Sequence, residues 1–136
     1  MLYLLDTMVI SESVKRTPNA AASRWVAEHD PGEFALSVVS IMEIHRGALA
    51  ARKRDPLFSR RLSLWLEDIV TAFAGRIFPV DVRCALRWGS LGHDLKRRDE
   101  DVLIAATALE HRAVVVTRND KHFERCGLAT INPYVQ

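Results

Sequence analysis

The chain opens with the stretch Leu2-Tyr3-Leu4-Leu5-Asp6, an apolar run that ends abruptly at a carboxylate. An apolar run with no polar alternation is typical of a short strand that is buried on both faces of a parallel sheet. A carboxylate beside such a strand is costly to bury unless a cation meets it. The stretch therefore predicts both the centre of the fold and the first residue of a candidate site.

The rest of the chain alternates between helical and strand patterns. Further strands are predicted at Phe34–Ser37 and at residues 76–80, 113–116 and 128–131, and helices at residues 9–14, 20–28, 40–52, from 55 onward, 82–95, 102–110 and 120–125. This alternation predicts a three-layer α/β/α fold, with a central parallel sheet of about five strands flanked by helices. The 136 residues contain no repeat, low-complexity segment or long linker, so we expect one domain, 1–136.

Composition narrows the function without deciding it. The formal net charge of +2 is too small to indicate a polyanionic partner by itself, although the 15 arginines outnumber the 4 lysines. No apolar run approaches the roughly 20 residues that span a bilayer, and no secretory signal opens the chain, so we expect no membrane association. Cys84 and Cys126 are far apart in sequence, which favours free thiols in a reducing cytoplasm.

Four acids stand where predicted elements begin or end. Asp6 follows the first strand, Glu43 lies in the helix after the second strand, Asp101 opens the buried helix before the fourth strand, and Asp120 follows that strand. Parallel strands place their carboxyl ends at one edge of the sheet, where ligands bind, so these acids are expected to converge there.

A cluster of this kind needs either protons or a cation. Two carboxylates about 5 Å apart repel each other by roughly 3 kcal/mol at an effective dielectric constant of 20. Oxygen-only ligands favour Mg²⁺ or Mn²⁺ over zinc. The expected chemistry around such a cation is hydrolysis of a phosphodiester. No Ser/His/Asp or Cys/His nucleophile set is evident in the sequence, which suits hydrolysis without a covalent intermediate.

Each acid also has a purely structural interpretation. Asp6 and Asp120 could be helix caps, and Asp101 could only complement a helix dipole. The segment Ser40-Ile41-Met42-Glu43 fits a capping box, in which Glu43 would bond the serine backbone. His93, His111 and His122 share no metal-ligand spacing, and the three tryptophans follow helical patterns that predict core positions.

Four blocks resemble those of PIN-domain ribonucleases, above all the VapC toxins of toxin–antitoxin operons and their FitB-like branch. They are residues 4–12 (LLDTMVISE), 37–47 (SVVSIMEIHRG), 101–109 (DVLIAATAL) and 115–123 (VVTRNDKHF), followed by Asn132-Pro133. The blocks occur in the family's order and cover nearly the whole chain.

The resemblance implies a PIN fold and Mg²⁺- or Mn²⁺-dependent cleavage of RNA. By position, Asp6, Glu43 and Asp101 match the family's three acids, and Thr117 and Asn119 match its supporting polar residues near the metal. Thr7, next to Asp6, is expected to support the site as well. Two departures are Met8, where the family commonly has Asn, and His122, where an Asp often precedes the Phe. The fourth metal ligand is therefore either Asp120 or Asn119.

The resemblance also implies partners. These are an RNA substrate, a homodimer mate and a VapB-type antitoxin whose C-terminal tail covers the site. Basic residues that could steer RNA are Lys15, Arg16, Arg46, Arg97, Arg98 and Arg118. The alternative is a catalytically inactive PIN-like module that binds RNA or protein.

Overall fold

The computed structural model describes residues 1–135, and Gln136, the last residue of the predicted domain, lies outside this range. Its strands are β1 (Tyr3–Leu5), β2 (Phe34–Ser37), β3 (Ile77–Phe78), β4 (Val114–Val116) and β5 (Thr130–Ile131). All pair in parallel, in the order β3-β2-β1-β4-β5. The predicted sheet of five parallel strands is confirmed, and the opening apolar run is its central strand.

Helices cover both faces of the sheet. They are α1 (Thr7–Ser11), α2 (Ala20–Ala27), α3 (Val38–Ala51), α4 (Pro56–Ala72), α5 (Val82–Leu95), α6 (Glu100–His111) and α7 (Asp120–Glu124), with short 3₁₀ turns at Glu12–Val14 and Pro31–Glu33. Within residues 1–135, no helix combines the length and the apolar character that crossing a bilayer requires. The three-layer arrangement follows the prediction from sequence.

Consecutive residues of β1 pack into the hydrophobic cores on opposite faces of the sheet. Leu4 joins a buried cluster that includes Ile104 of α6 and Phe123 of α7. Leu5 joins a second cluster that includes Ile44 of α3. Complete burial of such a side chain contributes about 1.5–3 kcal/mol. Because β1 is buried on both faces, the residue that follows it, Asp6, is held at a rigid edge of the sheet.

Some helices and strands begin or end at residues other than those predicted from the sequence. The helix expected from residue 40 begins at Val38, because the Ser37 hydroxyl oxygen accepts a 3.0 Å hydrogen bond from the Val39 N–H and caps it. The capping-box interpretation of Glu43 is therefore wrong. The strand expected at 76–80 stops at Phe78, since the next residue is Pro79, which has no N–H to donate. Trp88 is 37% exposed and is not a core residue.

The carboxyl ends of β1 and β4 meet at the switch in strand order. The chain leaves β1 toward β2 on one side, whereas β4 pairs with β1 on the other. The Asp6 N–H donates to the Val116 carbonyl at 2.9 Å, and the Thr117 N–H donates to Ile131 at 2.9 Å. A crevice at such a switch is the usual place for a ligand in an open parallel sheet.

Candidate metal centre

Asp6 lies at the floor of this crevice and is only 5% exposed. Its Oδ1 accepts the Thr7 N–H at 2.8 Å, so it also caps α1, and its Oδ2 accepts the Thr117 hydroxyl at 2.8 Å. Burial raises the pKa of Asp6, the Thr117 bond lowers it, and the charge of Asp101 raises it again; the net shift is upward. This carboxylate is held in place by hydroxyl and amide donors, yet its charge is poorly compensated.

Glu43 reaches the same crevice from the second turn of α3. The Thr7 Oγ1 lies 2.7 Å from Glu43 Oε1 and 2.8 Å from the Ser40 hydroxyl. A hydroxyl carries a single proton, so Thr7 donates to the carboxylate and accepts from Ser40. Burial raises the pKa of Glu43 despite the Thr7 bond, and the neighbouring carboxyls of Glu100 and Asp6 raise it further. Thr7 therefore links two acids that both lack a compensating charge.

Asp101 comes to the crevice from the first turn of α6, whose N-cap is Asp99. Its negative charge acts on Asp6, which places both groups in one electrostatic site. Its Oδ2 lies 2.6 Å from Nδ1 of His122. Asp6, Glu43 and Asp101 thus converge in the fold, as predicted.

The other predicted residues are less closely joined to the cluster. Asp120 is half-buried in the first turn of α7, and among residues 1–135 no hydrogen bond or ion pair ties it to the other predicted acids. The Asn119 N–H donates to the Thr117 Oγ1 at 3.0 Å. The side chain of Asn119, however, is exposed and makes no capping bond to α7. Their roles as a fourth ligand stay predictions.

Two neighbours of the site, Glu100 and His122, were not predicted from the sequence to be site residues. Glu100 faces Glu43 and also takes a forked contact from Arg46 Nη2, at 3.0 and 3.1 Å. His122 faces Asp101 directly. A signal for His122 was available, because it stands where the resemblance places an acid.

Asp99, Asp101 and His122 form a second group with metal-ligand chemistry, since their ligand atoms lie within 4.8 Å of one another. Arg97 already supplies a positive charge there, with 2.8 and 2.9 Å bonds to both oxygens of Asp99. Within residues 1–135 no ion pair neutralises Asp6 or Glu43. The uncompensated charge, and hence the stronger demand for a cation, lies in the crevice.

Most of the basic residues expected to steer RNA have intramolecular partners. Lys15 pairs with Glu12, Arg46 with Glu100, and Arg97 with Asp99; the Arg118 guanidinium lies 4.0 Å from the centroid of the Tyr134 ring. Arg16 and Arg98 are exposed. The Lys15 and Arg46 side chains stay exposed in their pairs, and exposed ion pairs are weak, so these pairs do not prevent contact with RNA.

Comparison with known proteins agrees with this fold and site. The PIN domain family matches residues 3–128. The VapC ribonuclease Y4jK of Sinorhizobium fredii is 34% identical, and Toxin FitB of Neisseria gonorrhoeae is 30% identical; each match covers 98% of this chain, and 98% and 99% of those proteins. The crystal structure of FitAcB from Neisseria gonorrhoeae superposes with a TM-score of 0.88 at 30% identity, covering 99% of this chain and 100% of that one. The chain belongs to the PIN domain family.

Proposed function

We propose that this protein is a Mg²⁺- or Mn²⁺-dependent endoribonuclease that hydrolyses RNA phosphodiester bonds and acts as the toxin of a type II toxin–antitoxin pair. The whole of residues 1–136 would form its single domain. Relatives named as ribonucleases and as a toxin, aligned over 98% of this chain, support the class of activity. The proposal assigns Asp6, Glu43 and Asp101 as metal ligands, with Asp120 as the candidate fourth.

The observation that carries the proposal is the pairing of burial with uncompensated charge. Asp6 is almost inaccessible, and Asp101 and Glu43 add negative charge around it. A buried acid surrounded by like charges is unfavourable in the metal-free protein and favourable around a cation. All of these donors are oxygens, which fits the hard ions Mg²⁺ and Mn²⁺.

The chain's own residues prepare this site in a definite way. The Thr117 hydroxyl supports the ionised form of Asp6, and the Thr7 hydroxyl orients Glu43 toward the same point. A bound Mg²⁺ or Mn²⁺ would supply a Lewis acid that activates water for in-line attack on the scissile phosphate. No covalent intermediate with a protein nucleophile is required.

A partner protein is also proposed. The similar solved structures include FitAcB and "FitAB bound to IR36 DNA fragment", at 30% and 28% identity, so a VapB-type antitoxin is the expected partner here. Large apolar side chains such as Val82 (74% exposed) and Leu86 (68% exposed) on α5 support a homodimer interface. The thiols of Cys84 and Cys126 are free, which supports a cytoplasmic location.

The experiment is a cleavage assay with bulk tRNA and a single-stranded oligonucleotide, each with Mg²⁺, with Mn²⁺ and with EDTA. A relative from Shigella flexneri, 26% identical, is named as a tRNA(fMet)-specific endonuclease, which makes tRNA a rational first substrate. We expect cleavage with metal and none with EDTA, and loss of at least about 100-fold in the Asp6→Asn variant.

The same assay separates the enzyme from the alternative binding module. A module that only binds RNA would retain the RNA in a gel-shift experiment and leave it intact with either ion. If Mn²⁺ neither supports cleavage nor raises the melting temperature of the wild-type protein, the enzyme proposal fails.

A further inference from the structure

A chain of hydrogen bonds runs from Asp99 to Asp101 at the rim of the site. Arg97 donates from Nε to Asp99 Oδ2 at 2.8 Å and from Nη2 to Asp99 Oδ1 at 2.9 Å. The same guanidinium reaches His122, where Nη1 donates to the carbonyl oxygen at 2.9 Å and Nη2 lies 2.6 Å from Nε2. The other ring nitrogen of His122, Nδ1, lies 2.6 Å from Asp101 Oδ2.

The chemistry of arginine fixes the direction of these bonds. A guanidinium has donors only, so Nε2 of His122 must be the acceptor. The proton of the imidazole is then on Nδ1, and it is donated to Asp101 Oδ2. Among residues 1–135, Oδ1 of Asp101 receives no hydrogen bond, so this oxygen is free to accept another ligand.

We propose that Arg97 and His122 are positioning residues that hold Asp101 by one oxygen and leave its other oxygen for the metal ion. This inference rests on the proposed metal-dependent function. The groups bridge three separate segments: the loop after α5, the start of α6 and α7. The His122 side chain is 45% exposed, whereas that of Arg97 is only 16% exposed, so the arginine is the fixed element that orients the ring.

Residues that hydrogen-bond to a metal ligand commonly influence metal binding by orienting that ligand. Hydrogen bonds to a ligating group fix its orientation, and their loss typically costs about 10- to 100-fold in metal affinity or activity. Arg97 and His122 would affect the reaction through Asp101 alone, without touching RNA or the ion.

A competing arrangement makes the opposite prediction for one variant. If His122 and Asp99 themselves bound the ion, Arg97 would have to give up its bond to His122, because one ring nitrogen would bind the metal and the other would carry the proton. Removing Arg97 would then strengthen metal binding, because it would free His122. In the proposed arrangement, removing Arg97 weakens metal binding, because His122 loses its orientation.

The experiment is calorimetric titration of the full-length, metal-free protein with Mn²⁺. We expect His122→Ala and Arg97→Met each to weaken binding about tenfold. The double variant should be no weaker than either single one, because both act through one path. His122→Asn, whose amide N–H can replace the Nδ1 donor, should restore affinity to within about threefold of the wild type.

Matched controls are His93→Ala and Arg125→Met, which remove an exposed histidine and an exposed arginine that make no hydrogen bond or ion pair with Asp101 among residues 1–135. Both should bind Mn²⁺ like the wild type. Melting temperatures of the metal-free variants report whether each is folded, and if one of the two single variants fails to fold, the other single variant tests the proposal.

The outcomes are distinct. Wild-type affinity in folded His122→Ala, or tighter binding in Arg97→Met, overturns the positioning role while the proposed function stands. A wild-type protein that binds no Mn²⁺ overturns the proposed function, and the positioning role with it.

Discussion

Replacing Thr117 with valine should weaken the metal site without disturbing the core. The Thr117 side chain is fully buried and nearly identical in shape to valine, so packing is preserved. What is lost is the 2.8 Å bond from its hydroxyl to the buried carboxylate of Asp6, together with the 3.0 Å bond that its Oγ1 accepts from the Asn119 N–H. A hydrogen bond to a charged group contributes about 1.5–3 kcal/mol and a neutral one about 1 kcal/mol, so a loss of about 3 kcal/mol is expected from the two bonds together.

The loss should be measurable in two ways. At pH 7 the metal-free Thr117→Val variant should be about 3 kcal/mol less stable in urea unfolding. Binding of Mn²⁺ requires an ionised Asp6, and the hydroxyl is one of the causes that lower the pKa of Asp6. Removing the hydroxyl should raise the pKa of Asp6 further, so Mn²⁺ affinity measured by calorimetry should fall, and the loss should grow as the pH is lowered.

The matched control is Thr117→Ser, which retains the hydroxyl and should stay within about threefold of the wild-type affinity. The difference in stability between wild type and Thr117→Val should also shrink at low pH, because a protonated Asp6 makes a neutral and weaker hydrogen bond. Wild-type Mn²⁺ affinity in a folded Thr117→Val protein would refute the reasoning.

Three further predictions concern single acids. The Asp6→Asn variant should unfold at a higher temperature than the wild type when both are metal-free at pH 7. The pKa of Asp6 is raised in the folded protein, so its ionised form destabilises the fold at pH 7. The difference in melting temperature should therefore shrink as the pH falls and Asp6 becomes protonated. Burial raises the pKa of Glu12, but hydrogen bonds from Lys15, Asn19 and Tyr134 outweigh it and lower the pKa to about 2. The ionised Glu12 should therefore stabilise the fold above its ordinary pKa, and this contribution should be lost as the pH falls toward 2. Urea unfolding at pH 3 and pH 6 should show the loss in the wild type and not in Glu12→Gln. Asp120→Asn should reduce Mn²⁺ affinity less than Asp6→Asn, because Asp120 makes no hydrogen bond or ion pair with the other three acids among residues 1–135, and an equal loss in calorimetry would show it to be a full ligand.

Much of the fold was visible in short stretches of sequence. The apolar run before Asp6 predicted the central strand, because burial on both faces leaves no polar alternation. Helix α5 was predicted at the bounds it has, Val82–Leu95, since Asp81 caps it with a 2.9 Å bond from the Cys84 N–H. These features depend on residues close together in the chain, which is why pattern alone identifies them.

The details of the site depend on distant residues and could not be predicted in the same way. His122 and Asp101 are 21 residues apart, and their contact depends on the side-chain position of Arg97. Glu12 was read as part of a short helix, yet its carboxylate is buried against Tyr134, 122 residues away. The capping-box pattern at Glu43 was misleading because Ser37 begins the helix a few residues earlier.

The most direct test of the account is a crystal of the wild-type protein soaked in Mn²⁺, with the ion located by its anomalous scattering. The account predicts a peak in the crevice with an oxygen of Asp6, Glu43 and Asp101 each within about 2.0–2.4 Å. Oδ2 of Asp101 should still accept its bond from His122. No peak in the crevice, or a peak bound by Asp99 and His122 in its place, would contradict it.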